Sequence, residues 1–172
     1  MTTKSKTKSL KTGGIRIREI RADDDPFLGE VIRGCFLDYD ATQQGTVFAD
    51  PVIDHLSESF RKERSKYFVA EYSGKVVGGA GIQPLKGAGP EICELQKMYL
   101  KKDFRGKGIG RALLERCLEF AKEAGFELCY LESLPELKDA LKLYSAAGFR
   151  YVPDRMGDTG YYGCSLFMTR SL

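Results

Sequence analysis

The sequence predicts an α/β fold in which a mixed sheet of the α+β type is flanked by helices. Strand-like and helix-like hydrophobic patterns alternate along the 172 residues. The middle of the chain has the pattern of an antiparallel hairpin, whereas the second half places helices between strands, as parallel pairing requires. Both kinds of strand pairing are therefore expected in one sheet.

The first third predicts a strand, two helices and a loop. Residues 15–18 alternate apolar and charged side chains, which indicates a strand with one buried face. The acidic residues and proline at 23–26 mark a helix start, and apolar residues follow at helical spacing. Residues 38–50 have no periodicity and predict a loop. Pro51 then opens a second short helix.

The centre of the chain predicts a hairpin followed by a longer strand. Residues 67–72 and 76–82 are strand-like and are separated by Ser73-Gly74, a tight-turn sequence. A loop rich in proline and glycine follows at 84–90. Residues 91–100 then predict a third, long strand.

The last part of the chain predicts two helices and three strands. An amphipathic helix begins at Ile109 and ends at Gly125. Residues 126–131 are mostly apolar and bounded by helices, which is typical of a buried parallel strand. A further helix at 135–147 precedes closing strands at 149–152 and 161–168.

Length and charge favour one domain, residues 14–172, preceded by a flexible basic tail at residues 1–13. The tail holds four of the 27 basic residues and no acid, so the remainder has 23 basic against 24 acidic residues. This balance excludes a nucleic-acid binder by charge, and the tail is interpreted as a solvated, mobile end.

With no apolar run near 18 residues and no secretory leader pattern, we expect a cytoplasmic protein without membrane contact.

The cysteines argue against a metal or disulfide framework. They are odd in number, scattered and mostly set among apolar neighbours, and the single histidine is His55. We therefore expect no metal site and reduced, buried thiols. The positions concerned are Cys35, Cys93, Cys117, Cys129 and Cys164.

A glycine run from Arg105 to Gly110 follows the long strand and opens directly into a helix. Such a turn presents unpaired backbone N–H groups and the positive end of the helix dipole, which suit a pyrophosphate. Arg105, Lys107 and Arg111 would add mobile positive charge. The run lacks the Gly-Lys-Ser/Thr of a P-loop, and an NAD fingerprint is a weak alternative. Taken alone, it predicts a structural turn as readily as a ligand site.

Two motifs together resemble the GNAT superfamily of acyl-CoA-dependent N-acetyltransferases. They are Arg105-x-x-Gly108-x-Gly110 and the later run Leu143-Tyr144-Ser145-Ala146-Ala147-Gly148-Phe149. The resemblance implies a GNAT-like fold whose central sheet splays between the strands at 91–100 and 126–131. It also implies acetyl-CoA as co-substrate. By position, the coenzyme-binding residues are Met98, Tyr99, Leu100, Arg105, Gly106, Lys107, Gly108, Ile109, Gly110 and Arg111.

The chemistry of acetyl transfer suggests candidate catalytic residues, and the motif match adds Tyr144 to them. The Leu100 N–H, left without a ladder partner by the splay, would polarise the thioester carbonyl. Tyr144 would protonate the leaving thiolate, although packing on the sheet is its ordinary alternative. Glu94 and Glu132 are candidate bases, and either would otherwise be a solvated or salt-bridged carboxylate. One departure is Leu137, where the family often has an asparagine that contacts the coenzyme.

The implied reaction is acetyl transfer to a primary amine of a small molecule or peptide. Residues 14–60, which build the acceptor side in the family, hold ten acids and four arginines. This imbalance predicts a cationic acceptor, with a solvated acidic surface as the alternative. A CoA-binding sensor without turnover is a second hypothesis, and a protein that contacts nucleic acid through its tail is a third. A homodimer is one possible assembly.

Overall fold

The computed structural model describes residues 14–41 and 43–172, so the predicted tail at residues 1–13 lies outside the described residues. Within those ranges, seven strands and four α-helices alternate in the predicted order. They are β1 (Ile15–Glu19), α1 (Asp25–Asp38), α2 (Leu56–Ser59), β2 (Lys66–Tyr72), β3 (Lys75–Pro84), β4 (Ile92–Leu100), α3 (Ile109–Glu123), β5 (Leu128–Ser133), α4 (Lys138–Ala146), β6 (Arg150–Val152) and β7 (Leu166–Ser171).

The described strands form a single mixed sheet in the order β1-β2-β3-β4-β5-β7-β6. All neighbours are antiparallel except β4 and β5, which run parallel because α3 crosses over between them. Their pairing covers Ile92, Cys93 and Glu94 of β4 and ends there. Beyond Glu94 the two strands separate, which confirms the predicted splay at the centre of the sheet.

Each face of the sheet carries its own apolar core, because successive strand residues point to opposite faces. On β2, Phe68 and Ala70 pack in the core beneath α3 and α4, whereas Tyr67 and Val69 pack in the core beneath α1 and α2. Both cores are closed by helices, so the central strands β2 to β5 are largely buried on both sides.

A β-bulge interrupts β4 opposite Ala80. Gly79 is paired with Tyr99 but Gly81 is paired with Gln96, so β4 has one more residue than β3 over this stretch. The extra residue is Lys97, whose φ of 51° lies in the left-handed region. The Tyr67 hydroxyl donates a 2.8 Å hydrogen bond to the Lys97 carbonyl and holds the bulge from β2.

Three predicted elements differ from the structure. The helix expected after Pro51 is a 3-10 turn at Pro51–Asp54 and a separate four-residue α2, because His55 leaves the helical conformation at φ −140°. Helix α4 begins at Lys138 rather than at 135, after a turn closed by a Leu137 N–H to Leu134 carbonyl bond. Strand β7 begins at Leu166, so most of the predicted strand at 161–168 is loop.

Candidate active site

The glycine run forms the turn between β4 and α3. Gly106 and Gly108 have φ values of 72° and 79°, which favour glycine. A Cβ at either position would meet no atom within 4 Å, so backbone conformation rather than close packing requires glycine there. Gly108 caps α3 without a side-chain hydrogen bond, which leaves the N–H groups of the first helical turn open to an anion.

A cavity of about 600 Å³ lies in front of this turn, where β4 has parted from β5. The start of α4 and the end of α1 contribute its other walls. Its lining residues are Cys35, Tyr39, Met98, Tyr99, Leu100, Arg105, Gly106, Gly108, Gly110, Arg111, Leu113, Leu137, Asp139, Ala140 and Leu143.

Two of the predicted coenzyme-binding residues, Lys107 and Ile109, do not line this cavity. The Ile109 side chain is only 2% exposed and packs in the core beneath α3, because the first turn of the helix directs it at the sheet. Lys107 is exposed, with its ammonium 5.5 Å from the centroid of the Phe104 ring. The prediction that their side chains line the coenzyme cavity is therefore wrong, and any contact through their backbone N–H groups stays a prediction.

Arg105 is not the mobile charge that the sequence suggested. Its Nε donates to the Leu100 carbonyl at 2.9 Å, and its Nη2 donates to Asp38 Oδ2 at 2.7 Å. The guanidinium also lies 4.7 Å from the centroid of the Tyr39 ring. Arg105 therefore ties the end of α1 to the end of β4. Arg111, in contrast, has an exposed ion pair with Glu115, which leaves its side chain available at the rim of the cavity.

The backbone of Leu100 is directed at the opening. The Lys101 N–H donates to the Val77 carbonyl at 2.8 Å, which makes this a hydrogen-bonded pair of the antiparallel ladder. Leu100 opposite Gly78 is consequently a non-hydrogen-bonded pair, and its N–H and C=O point away from β3. The carbonyl accepts from Cys35 and Arg105, while the N–H faces the side from which β5 has diverged.

A second, smaller pocket of about 50 Å³ adjoins the first on the side of α1 and α2. Tyr99 and Leu137 line both and so form their common wall. The small pocket is more polar than the large cavity. It contains Thr46, Glu94, Gln96, Lys97, Glu132, Ser133, Tyr161 and Cys164 among its lining residues.

Glu94 is a buried carboxyl group in this pocket, 4% exposed. Burial raises the pKa of Glu94 to about 7, against the opposing effects of a hydrogen bond from Gln96 and the charge of Lys97. The Gln96 Nε2 donates to Glu94 Oε2 at 2.6 Å. A carboxyl group with a pKa near neutrality is suited to exchange a proton with an amine.

Comparison with known proteins agrees with this geometry. Residues 27–149 match the model of the Acetyltransferase (GNAT) family. The chain is 41% identical over 157 residues to the uncharacterized N-acetyltransferase YjgM of Escherichia coli, and this covers 91% of the chain and 94% of that protein. The chain belongs to the GNAT acetyltransferase family.

Solved structures of GNAT proteins share the fold. A GNAT acetyltransferase from Staphylococcus aureus superposes with a TM-score of 0.77 at 20% identity, covering 91% of this chain and 98% of that one. The yncA protein of Salmonella typhimurium, solved with acetyl-CoA, gives 0.72 at 21% identity and covers 91% and 93%. At these identities the likeness shows the fold alone.

Tyr144 of this GNAT domain is placed by α4 in the core rather than on the cavity wall. Its ring lies 5.9 Å from that of Phe149, centroid to centroid, and the side chain is buried. Burial raises the pKa of its phenol well above the ordinary value. The hydroxyl has no hydrogen-bond partner in the described part of the chain, while the preceding Leu143 does line the cavity.

Both carboxylate oxygens of Glu132, the other candidate base, are held by hydrogen bonds within the fold. Its Oε2 accepts from Arg155 at 2.7 Å, and its Oε1 accepts from the hydroxyls of Tyr130 and Thr159 at 2.9 Å each. Arg155 also donates to the carbonyls of Tyr161 and Cys164. Glu132 therefore anchors the loop between β6 and β7, which is the salt-bridged alternative raised from the sequence.

Several acids of residues 14–60 are held in ion pairs with arginines. Asp24, Asp38 and Asp54 are paired with Arg18, Arg105 and Arg33, each at 2.7 Å. Another of them, Asp50, reaches the small pocket through the Tyr161 hydroxyl. The count of ten acids against four arginines consequently overstates the negative charge available to an acceptor.

The structure adds residues that the sequence reasoning missed. Lys97, Tyr161 and Asp50 join Gln96 and Glu94 in one hydrogen-bonded chain within the small pocket. One signal was present in the sequence: Gln96 and Lys97 are adjacent polar residues in a strand that otherwise alternates. Such a break in the alternation indicates a bulge, where an extra residue is inserted. Leu137 lines both cavities and gives each an apolar surface, at the position where the family often has an asparagine.

The remaining thiols and acids give no indication of a metal. All five cysteines are free, and four are buried. Over residues 14–41 and 43–172, no group of three or more histidine, cysteine or acidic side chains could hold a metal ion. Nor does any helix in these ranges have the length and apolar character to cross a membrane.

Proposed function

We propose that this GNAT protein transfers the acetyl group of acetyl-CoA to a primary amine of a small molecule or peptide, by direct attack of the amine on the thioester. One observation carries the proposal. A cavity at a glycine turn and helix N-terminus shares the wall of Tyr99 and Leu137 with a polar pocket that holds a carboxyl group of near-neutral pKa. Coenzyme and acceptor would therefore meet at the split between β4 and β5.

The large cavity fits the coenzyme by charge and by shape. The open N–H groups at the start of α3, together with Gly106 and Gly108, would hold the pyrophosphate, and Arg111 would add charge at the rim. Met98, Tyr99 and Leu100 would flank the pantetheine arm along β4. The coenzyme supplies a thioester, whose carbonyl carbon accepts the amine.

The small pocket supplies the proton transfer. Glu94 would take the proton of the acceptor ammonium, because a carboxylate of pKa about 7 is available at neutral pH and strong enough to share it. The Leu100 N–H would donate to the carbonyl oxygen as negative charge develops there. Tyr144 would donate to the leaving thiolate, which requires its hydroxyl to reach the cavity past Leu143.

The charge of the acceptor amine can be inferred from the charged side chains around the small pocket. Three carboxylates (Asp50, Glu94, Glu132) and two cations (Lys97, Arg155) surround the small pocket within the described ranges. Lys62 also acts on Lys97 but is exposed and screened by solvent, so a single excess of negative charge remains at the pocket. It favours a cationic acceptor over an anionic one, on weaker grounds than the acid count implied. The cytoplasmic location and the possible homodimer stay predictions from the sequence.

The test is a turnover screen with the full chain. Release of CoA thiol from acetyl-CoA is measured with polyamines, lysine-like amines, amino acids and peptides, using Glu94→Gln as the control. We expect amine-dependent release by the native protein and a large loss in the variant. Calorimetric binding of CoA without release for any amine would instead support the sensor hypothesis.

A further inference from the structure

Lys97 is a buried lysine in a backbone conformation that lysine rarely adopts. The residue is 9% exposed, lines the small pocket and has a φ of 51°. The left-handed region is unfavourable for a residue with a Cβ, because the Cβ comes too close to the following carbonyl oxygen. Conformations of this kind persist where surrounding contacts enforce them, and they cluster at functional sites.

The bulge decides which face of the sheet receives this lysine. Before it, Cys93 and Leu95 point into the core beneath α3, and after it Met98 and Leu100 pack against that same core. Odd-numbered residues of β4 thus face this core before Lys97, and even-numbered residues face it afterwards. A regular strand would direct the ammonium into an apolar core, whereas the bulge directs it to the side of Glu94 and Gln96.

The ammonium lies at the middle of a chain of polar groups. Lys97 Nζ donates to the Tyr161 hydroxyl at 2.9 Å and to Gln96 Oε1 at 3.2 Å. Tyr161 in turn donates to Asp50 Oδ2 at 2.5 Å, and Gln96 Nε2 donates to Glu94 Oε2 at 2.6 Å. Burial lowers the pKa of Lys97, and the exposed Lys62 acts in the same direction. The charges of Asp50 and Glu94 oppose this shift and favour the ammonium.

These contacts fix the orientation of the Gln96 amide. A lysine ammonium only donates, so it must face the amide oxygen, and the amide nitrogen is then left to face Glu94. Glu94 Oε2 is occupied by that nitrogen, and Oε1 has no hydrogen-bond partner in the described part of the chain. One oxygen of the carboxylate is thereby left for an acceptor amine.

We propose that Lys97 is a positioning residue for Glu94: its ammonium holds the Gln96 amide, which orients the Glu94 carboxylate with Oε1 toward the acceptor, and its charge favours the ionised carboxylate. This inference rests on the proposed role of Glu94 as base. The other cation near Glu94 is Arg155, which is already bound to Glu132, and the Glu132 carboxylate opposes ionisation of Glu94. Without Lys97, burial and the neighbouring carboxylate would leave Glu94 protonated at neutral pH and unable to accept a proton.

The direct test is the titration of Glu94 in the full chain. Glutamate labelled with ¹³C at the side-chain carboxyl is followed by NMR against pH, and the Glu94 resonance is assigned by its loss in Glu94→Gln. Lys97→Met keeps the length of the side chain and removes its charge. We expect its Glu94 midpoint to lie higher by about one pH unit or more, a tenfold change in proton affinity.

Controls separate a charge effect from a structural one. Lys62→Met also removes one positive charge, but from an exposed site, and should leave the midpoint within about 0.3 unit because solvent screens it. Lys97→Arg should move the midpoint back toward the native value. Lys97→Gln, which keeps hydrogen bonding without charge, provides a second reading and should resemble Lys97→Met.

Kinetics supply the second readout. The acid limb of kcat/KM for CoA release should move to higher pH in Lys97→Met, with most of the rate recovered above the new midpoint. An unchanged Glu94 midpoint in both uncharged variants, or a rate loss that is equal at every pH, would overturn the positioning role. Native turnover in Glu94→Gln would instead remove the base assignment, while the NMR titration still reports whether Lys97 acts on Glu94.

Discussion

The two cavities that meet at Tyr99 and Leu137 are built in different ways. The large one is assembled mainly from residues 98–113, a continuous run through the end of β4, the glycine turn and the start of α3. The small one is assembled from side chains remote in sequence, such as Thr46, Lys97 and Tyr161. The large cavity therefore depends on local backbone conformation, whereas the small one depends on the packing of the whole domain.

The largest effect is expected at Gly108, in the turn that would hold the pyrophosphate of the coenzyme. Gly108→Asp should abolish binding of acetyl-CoA, because a carboxylate would stand where phosphate oxygens must approach. Repulsion of about 4 kcal/mol between charges 4 Å apart corresponds to a loss of roughly three orders of magnitude. Titration calorimetry with CoA measures it. Gly74→Asp is the matched control, since Gly74 also has a positive φ of 77° and open space but lies in the β2–β3 turn.

The next effect is expected in the small pocket. Glu94→Gln should lower kcat/KM by about 10²- to 10⁴-fold, the range for a lost general base, with little change in coenzyme affinity. The native protein should show an acid limb near pH 7, where Glu94 loses its proton. Glu132→Gln is the comparison, and it should lower thermal stability through the loss of its bond to Arg155 instead of removing that limb.

Glu94→Gln should also change how the free energy of unfolding depends on pH. The pKa of Glu94 is raised in the folded state, so folding favours its protonated form. The native protein should lose stability relative to Glu94→Gln as pH rises from about 4.5, the ordinary value, through about 7. Urea unfolding at pH 5 and pH 8 measures the difference. An equal difference in the free energy of unfolding between the two proteins at pH 5 and pH 8 would contradict the buried environment of Glu94.

A smaller effect is expected at Tyr144, which belongs to neither cavity wall. Tyr144→Phe should lower kcat by up to about 10²-fold and barely change the KM for acetyl-CoA, the lower end of general-acid effects. A buried phenol of raised pKa is a weak acid beside a thiol of ordinary pKa near 8.5, which limits its contribution. Native kcat in the variant would return Tyr144 to a packing role beside Phe149.

The smallest of the principal effects is expected at Arg105, where it concerns coenzyme binding. Arg105→Ala should weaken CoA binding only several-fold, because the guanidinium is held by Asp38 and the Leu100 carbonyl. It should lower the melting temperature, since α1 would lose its tie to β4. Arg111→Ala is the paired variant, with an exposed side chain, and should show the reverse: weaker binding with nearly native melting. Equal effects of the two variants would contradict the assignment of separate roles.

Local features of this protein were readable from the sequence alone. The hydrophobic periods predicted the strands and helices in order, since burial on one face imposes a period of two or 3.6 residues. The glycine turn before α3 was also readable, because a positive φ and a helix N-terminus are properties of a few consecutive residues. The two motifs then led to the GNAT family and to the splay of β4 from β5.

Tertiary structure alone decided the properties of the candidate catalytic groups. Glu94 and Glu132 are equivalent glutamates near strand ends in the sequence, yet one has a raised pKa near neutrality and the other anchors a loop through Arg155. The Tyr161–Asp50 bond joins residues 111 positions apart, and the bulge at Lys97 is held by Tyr67 from another strand. Desolvation and hydrogen bonding depend on such distant neighbours, so the pKa and the orientation of a side chain follow only from the folded arrangement.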